Sequence, residues 1–144
     1  MKFNQRLRNE IESFKAYVIL VEGKKDRDAL RLFGFDKVYT IHKTAVPLRE
    51  RIEEIVAGLG KKEKICILTD LDKRGRKLYE TIKPILQELG CRIDSALRGI
   101  LIKANIPHIE GIHNFMTKVE NLDNTMKRQR QFKHRRSFMQ RGPN

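Results

Sequence analysis

Tryptophan is absent from the 144-residue sequence, cysteine occurs twice, proline four times, and no acidic residue follows Asp123. No apolar run approaches the roughly 18 residues that a membrane span needs, so the expectation is a protein without a membrane partner. The start, Met1-Lys2-Phe3-Asn4-Gln5-Arg6, lacks the apolar stretch of a signal peptide, and the expected location is cytoplasmic. Cys66 and Cys91 lie apart, each in an apolar segment, with no CxxC pair and no histidine at ligand spacing. This excludes a disulfide framework or a sulfur-ligated zinc site and predicts buried free thiols. The length suits one domain with a real core and leaves no room for two independent enzymes.

Positive charge is what the chain has in surplus. Lys and Arg number 31 against 18 Asp and Glu, a net charge of +13 with a pI near 10.0. Such a surface expects a polyanion, nucleic acid before membrane. The surplus is uneven: Asn124–Asn144 holds seven basic residues and no carboxylate, whereas residues 1–123 hold 24 basic against 18 acidic residues, a surplus of six. The basic tail consists of Lys127, Arg128, Arg130, Lys133, Arg135, Arg136 and Arg141, interleaved with Phe132, His134 and Phe138. Guanidinium groups pair with phosphates and stack on bases, and phenyl rings stack on unpaired bases. The tail is expected to be unstructured alone and ordered by a nucleic-acid partner; the plainer alternative is a solvated basic arm.

Residues 1–123 alternate between two periodicities. Asn4 to Ala16 carries Leu7, Ile11 and Phe14 at helical spacing, a cover helix for the domain that follows. Tyr17–Val21 is an apolar run of strand length. Helical spacing from Lys25 to Phe33 is followed by a second strand over Lys37–Ile41. A helix opened by Pro47 runs until Gly58 and Gly60 stop it, and Lys64–Thr69 is a third strand. A long helix is expected from about Gly75 to Leu89, then a weak strand at Arg92-Ile93, a helix over Ala96–Lys103 and a short last strand at Pro107–Ile109. Strands alternating with helices predict an α/β fold, a mostly parallel sheet with helices on both faces.

In such sheets ligands bind beyond the C-terminal strand ends, and three carboxylates stand there. Glu22 and Gly23 follow the first strand; Asp70 and Asp72 follow the third, with Gly75 three residues later. Residues two apart in extended chain share a face, so Asp70 and Asp72 can address one site, which Glu22 joins if the strands are neighbours. Clustered acids in so basic a protein suit a cation, and oxygen donors suit Mg²⁺, with Mn²⁺ as the second choice. The same Asp-x-Asp-x-x-Gly turn suits a helix cap at Asp72 equally well. His108 and His113 flank Glu110, but the irregular spacing around Gly111 lacks the register of a zinc-binding helix.

Taken together, Val18-Ile-Leu-Val-Glu22-Gly23-Lys-Lys-Asp26 and Ile67-Leu-Thr-Asp70-Leu-Asp72-Lys-Arg-Gly75 resemble the Toprim domain of topoisomerases, bacterial-type primases and certain nucleases. The resemblance covers Tyr17 to Phe115 and implies a Rossmann-like fold, with Glu22 as general acid or base and Asp70 and Asp72 as Mg²⁺ ligands. An accessory part is expected for Gly23, Asp26, Gly75 and Glu110, Asp26 capping or orienting the following helix. Lys73-Arg74-Gly75-Arg76-Lys77 is similar to the corresponding stretch of the bacterial nuclease that matures 5S ribosomal RNA, and Ile109-Glu110-Gly111-Ile112-His113 to its later acidic segment. The chain departs from many relatives at Thr40-Ile-His42-Lys43-Thr44, where they carry a glycine.

The expected division is a cover helix over 1–16, a Toprim domain over 17–123 and a basic, RNA-binding tail over 124–144. Nucleic-acid contacts are expected from Lys24, Lys25, His42, Lys43, Lys73, Arg74 and Arg76 together with the tail. Two readings compete: a Mg²⁺-dependent phosphodiesterase or endoribonuclease on structured RNA, with ribosomal RNA or a ribosomal particle as the expected target, and a non-catalytic factor binding the same RNA. A DNA-processing nuclease is the third alternative.

Overall fold

A computed structural model describes residues 5–108, 111–112 and 128–129. Its elements are α1 (Gln5–Glu12), β1 (Val18–Val21), α2 (Lys24–Leu32), β2 (Val38–Thr40), α3 (Leu48–Ala57), β3 (Lys64–Ile67), α4 (Lys73–Glu88), β4 (Arg92–Ile93) and α5 (Ala96–Lys103). The strands form one parallel sheet in the order β2-β1-β3-β4. Of the basic tail, only Arg128 and Gln129 are among the described residues; Lys127, Arg130, Phe132, Lys133, Arg135, Arg136 and Arg141 lie outside them, as does Glu110.

The sheet is buried on both faces, which is why β1 is apolar at every position. Val18, Leu20, Ile65 and Ile67 pack against Ile52 and Ile55 of α3 and Ile82 and Leu86 of α4. Ile19, Val21, Cys66 and Leu68 pack on the other side against Ile11, Leu30, Leu97 and Leu101 of α1, α2 and α5. Phe14 and Phe35 are buried in that second layer, as their sequence positions suggest, and Phe33 is half-buried against it. Both cysteines are free, Cys66 buried and Cys91 half-buried.

From β1 the chain moves outward to β2 through α2, then crosses back through α3 to enter β3 on the other side of β1. Neighbouring strands β1 and β3 therefore send their following helices in opposite directions, and a crevice opens between their C-terminal ends.

Among the differences from the expected bounds, three have a visible local cause. The first helix ends at Glu12, where Ser13 Oγ donates to the Glu10 carbonyl at 2.6 Å. The long helix begins at Lys73, two residues early, because Asp72 caps it. No strand forms at Pro107-His108: Leu71 N–H donates to the Pro107 carbonyl at 2.7 Å, and this one bond replaces a ladder. Proline brings no N–H to extend the pairing.

Candidate functional site

Glu22 sits where β1 and β3 part. Along the ladder Leu68 N–H donates to the Leu20 carbonyl at 2.8 Å, and the next step would join Asp70 N–H to the Glu22 carbonyl. That carbonyl instead accepts from His42 N–H on the opposite side, at 3.3 Å. Asp70 N–H donates to the Glu22 side chain, Oε1, at 3.3 Å. The carboxylate thus takes the place of a backbone acceptor, which fixes it against the Asp70 turn and ends β3 at Ile67.

Asp72 ends the turn as the cap of α4, its Oδ1 accepting from Gly75 N–H at 2.8 Å. Gly75 is buried in the first turn of that helix, and a Cβ there would fall inside the Asp70 carbonyl. The turn and the helix approach so closely that only glycine fits. Thr69 Oγ1 closes the contact by donating to the Gly75 carbonyl at 2.7 Å.

Two residues absent from the motif hold this turn. Arg98 of α5, 8% exposed, donates from Nη1 to the Thr69 carbonyl at 2.7 Å and from Nη2 to the Asp70 carbonyl at 3.3 Å. Its guanidinium lies 4.4 Å from the centre of the Tyr79 ring, a cation–π contact. Burial pulls Arg98 below the ordinary arginine range, and the charges of Tyr79 and Asp70 oppose that pull. His108, placed by the Leu71–Pro107 bond, has Nδ1 3.4 Å from Asp70 Oδ2.

Asp70, Asp72 and His108 each offer one donor atom, and the three lie within 4.8 Å of one another. Two carboxylates and an imidazole so placed are able to hold a divalent ion. Both expected uses of Asp72 are compatible, since the cap occupies one oxygen and leaves the other. Of His108, Glu110 and His113, only His108 is among the described residues, and it stands beside the aspartates. Sequence spacing misses His108 and Arg98 because both arrive through tertiary contacts, although Arg98 as the one cation within the apolar stretch Ala96–Ile102 is a visible signal.

On its other side Glu22 lines a cavity of about 750 Å³. Gly23, Lys24, Lys25 and Asp26 border it from the start of α2, His42 from the end of β2, and Arg74 and Lys77 from α4. Asp26 lies in the first turn of α2, where a carboxylate complements the helix dipole. Lys43 is paired with Glu54 at 3.2 Å. The helix divides the run Lys73–Lys77: Arg74 and Lys77 face this cavity, Arg76 lines a second one beside Tyr79 and Arg98, and Lys73 is exposed. Arg128 is exposed. No helix among the described residues is long and apolar enough to cross a membrane.

Comparison with known proteins places this arrangement. The Toprim domain family matches residues 17–96. The chain is similar to a UPF0292 protein of Thermococcus onnurineus, 32% identical over 80% of this chain and 84% of the relative. It is also similar to Ribonuclease M5 of Mesoplasma florum, 34% identical over 45% of this chain but only 37% of that protein. Among solved structures, a protein from Aquifex aeolicus superposes with a TM-score of 0.62 at 30% identity, covering 74% of this chain and 94% of the other. With the strand order, the Glu22-Gly23 turn and the Asp70/Asp72 turn in place, the chain belongs to the Toprim domain family.

Proposed function

We propose that this protein is a divalent-metal-dependent phosphodiesterase acting on structured RNA, with ribosomal RNA or a ribosomal particle as its target. The observation that carries the reading is Glu22, one hydrogen bond from the Asp70 amide while Asp70, Asp72 and His108 converge within 4.8 Å beside it. Asp70 and Asp72 would hold the ion, with His108 as a third donor. Mg²⁺ or Mn²⁺ held there would polarise a phosphoryl oxygen and stabilise the leaving alkoxide. Glu22, held by its bond to Asp70 N–H, takes the proton of the attacking nucleophile or returns one to the leaving oxygen. Arg98 keeps the carbonyls of Thr69 and Asp70 turned inward, so the two carboxylates keep their spacing.

RNA is the expected substrate because 45% of the chain is similar to Ribonuclease M5 and because the tail mixes arginine with phenylalanine. The cover helix over 1–16, the Toprim body over 17–123 and the RNA-binding arm over 124–144 are parts of the same reading. Lys24, Lys25, His42, Arg74 and the tail carry the backbone contacts, with Lys43, Lys73 and Arg76 at the margins.

The test is to recover the protein with its bound nucleic acid from native lysate, then incubate that nucleic acid with Mg²⁺ and either wild type or Glu22→Gln. Cleavage by wild type alone supports the proposal. Intact ribosomal RNA with neither protein cutting makes this a binding factor on a Toprim body, and recovered DNA moves the substrate.

A further inference from the structure

The cavity beside Glu22 is built for more than phosphate. Its wall and floor include Ile41, Val46, Leu48 and Leu78, with Ile41 3% exposed and the other three partly buried. Around its edge stand Lys24, Lys25, Arg74 and Lys77, none with a carboxylate partner among the described residues. Some cations elsewhere are paired, Lys37 with Glu63, Lys43 with Glu54, Arg49 with Glu53 and Glu88, while others such as Lys61, Lys62 and Arg92 are exposed. A solvated basic face has no need of an aliphatic floor, and an aliphatic pocket for a neutral ligand has no need of four unpaired cations. None of Asp70, Asp72 and His108 lines it.

Its border is locally shaped. Lys43 and Val46 form an antiparallel bridge across a turn in which Ala45 adopts φ 64°, a left-handed conformation rare for a residue with a Cβ. Such conformations persist where the surroundings hold them, and this one brings Val46 to the wall. The helix starts at the border also differ from the one beside the aspartates. Asp72 satisfies the first turn of α4 with its own side chain, whereas Gly23 before α2 and Pro47 before α3 give no side-chain cap.

We propose that this cavity receives one unpaired nucleotide of the substrate, its base against the aliphatic floor and its phosphate on the lysine and arginine edge, beside the bond presented to Asp70 and Asp72. The inference rests on the nucleic-acid reading above and deepens it: the substrate must offer an unstacked nucleotide next to the site of attack. A volume of about 750 Å³ lies within the roughly 300–1,000 Å³ of small-ligand pockets and accommodates one nucleotide. A paired base would first have to be extruded from its stack, at a cost that an unpaired nucleotide avoids.

The test separates this site from the chemistry by working in EDTA. Single-stranded RNA carrying 2-aminopurine at one position at a time is titrated with the full chain, and the probe fluorescence is read; the absence of tryptophan keeps the protein background low. The expected result is a fluorescence change confined to one position. Adenosine monophosphate should compete at least tenfold better than inorganic phosphate. Thr81→Phe, an exposed position on the cavity border, and Lys77→Glu should each reduce the change tenfold or more without shifting the melting temperature. Equal competition by inorganic phosphate would overturn the proposal and leave a plain anion site. RNA binding with no responding probe position would overturn it while leaving the functional reading intact. No RNA binding at all would remove both.

Discussion

The two sides of Glu22 are opposite in character although they share one strand end. Toward β3 lie Asp70, Asp72 and His108, donors for a cation, with the first turn of α4 satisfied internally by Asp72. Toward β2 and α3 lie Lys24, Lys25, Arg74 and Lys77 over an aliphatic floor, with no side-chain cap at the starts of α2 and α3. A doubly wound sheet makes this division possible because the helices after β1 and β3 depart on opposite faces. One carboxylate can then border a cation site and a polyanion site at once, which is the juxtaposition phosphodiester chemistry needs.

Experiments that remove one side should leave the other intact. The largest effect is expected from deleting residues 124–144, which should make the log-log salt dependence of RNA affinity shallower by about five to six units while leaving metal affinity unchanged. An unchanged slope would take the tail out of the account. Asp70→Asn combined with Asp72→Asn should do the reverse, lowering Mn²⁺ affinity by about 100-fold or more in an electron paramagnetic resonance titration while RNA binding in EDTA persists. Arg98→Met should cost about 2–3 kcal/mol in a urea melt, since it strips the partner from two buried carbonyls, and should weaken Mn²⁺ binding in parallel. His108→Ala should reduce Mn²⁺ affinity about tenfold and Mg²⁺ affinity less, because a nitrogen donor suits the transition metal better.

The smallest effect concerns the core rather than the site. Burial, with a contribution from Asp94, pushes the Cys66 thiol up to about 12. Native protein at pH 8 should therefore react with iodoacetamide at Cys91 before Cys66. The sign for stability follows from proton counting: above the ordinary thiol range the unfolded chain loses a proton that folded Cys66 keeps, so this group makes stability fall as pH rises. Equal labelling of both cysteines would contradict the described burial.

The acidic side was legible in sequence where a motif coincides with strand ends. Glu22, Asp70, Asp72 and Gly75 each follow an apolar run, and the parallel pairing of β1 with β3 brings them together. His108 and Arg98 were not legible, because one backbone bond from Leu71 and a set of bonds to Thr69 and Asp70 place them, and periodicity carries no trace of such contacts. The last strand expected at Pro107–Ile109 does not form at its described residues Pro107 and His108, where a single bond from Leu71 N–H stands in for a ladder. On the basic side, Lys24, Lys25 and Arg74 were expected to meet nucleic acid, but the cavity between them depends on the Ala45 turn, on Lys77 at the end of the basic run and on Thr81 one helical turn beyond it.

Whether metal and RNA meet at Glu22 can be read by localised hydroxyl-radical cleavage. Fe²⁺ loaded in place of the native ion, with ascorbate and peroxide, cuts bound RNA only where the metal touches it, whether or not the protein is itself a nuclease. The account predicts one focused cut, abolished by Asp70→Asn and suppressed by excess Mn²⁺. Bound RNA with diffuse cutting, or with a focused cut that survives Asp70→Asn, would show that the metal and the RNA do not meet at Glu22.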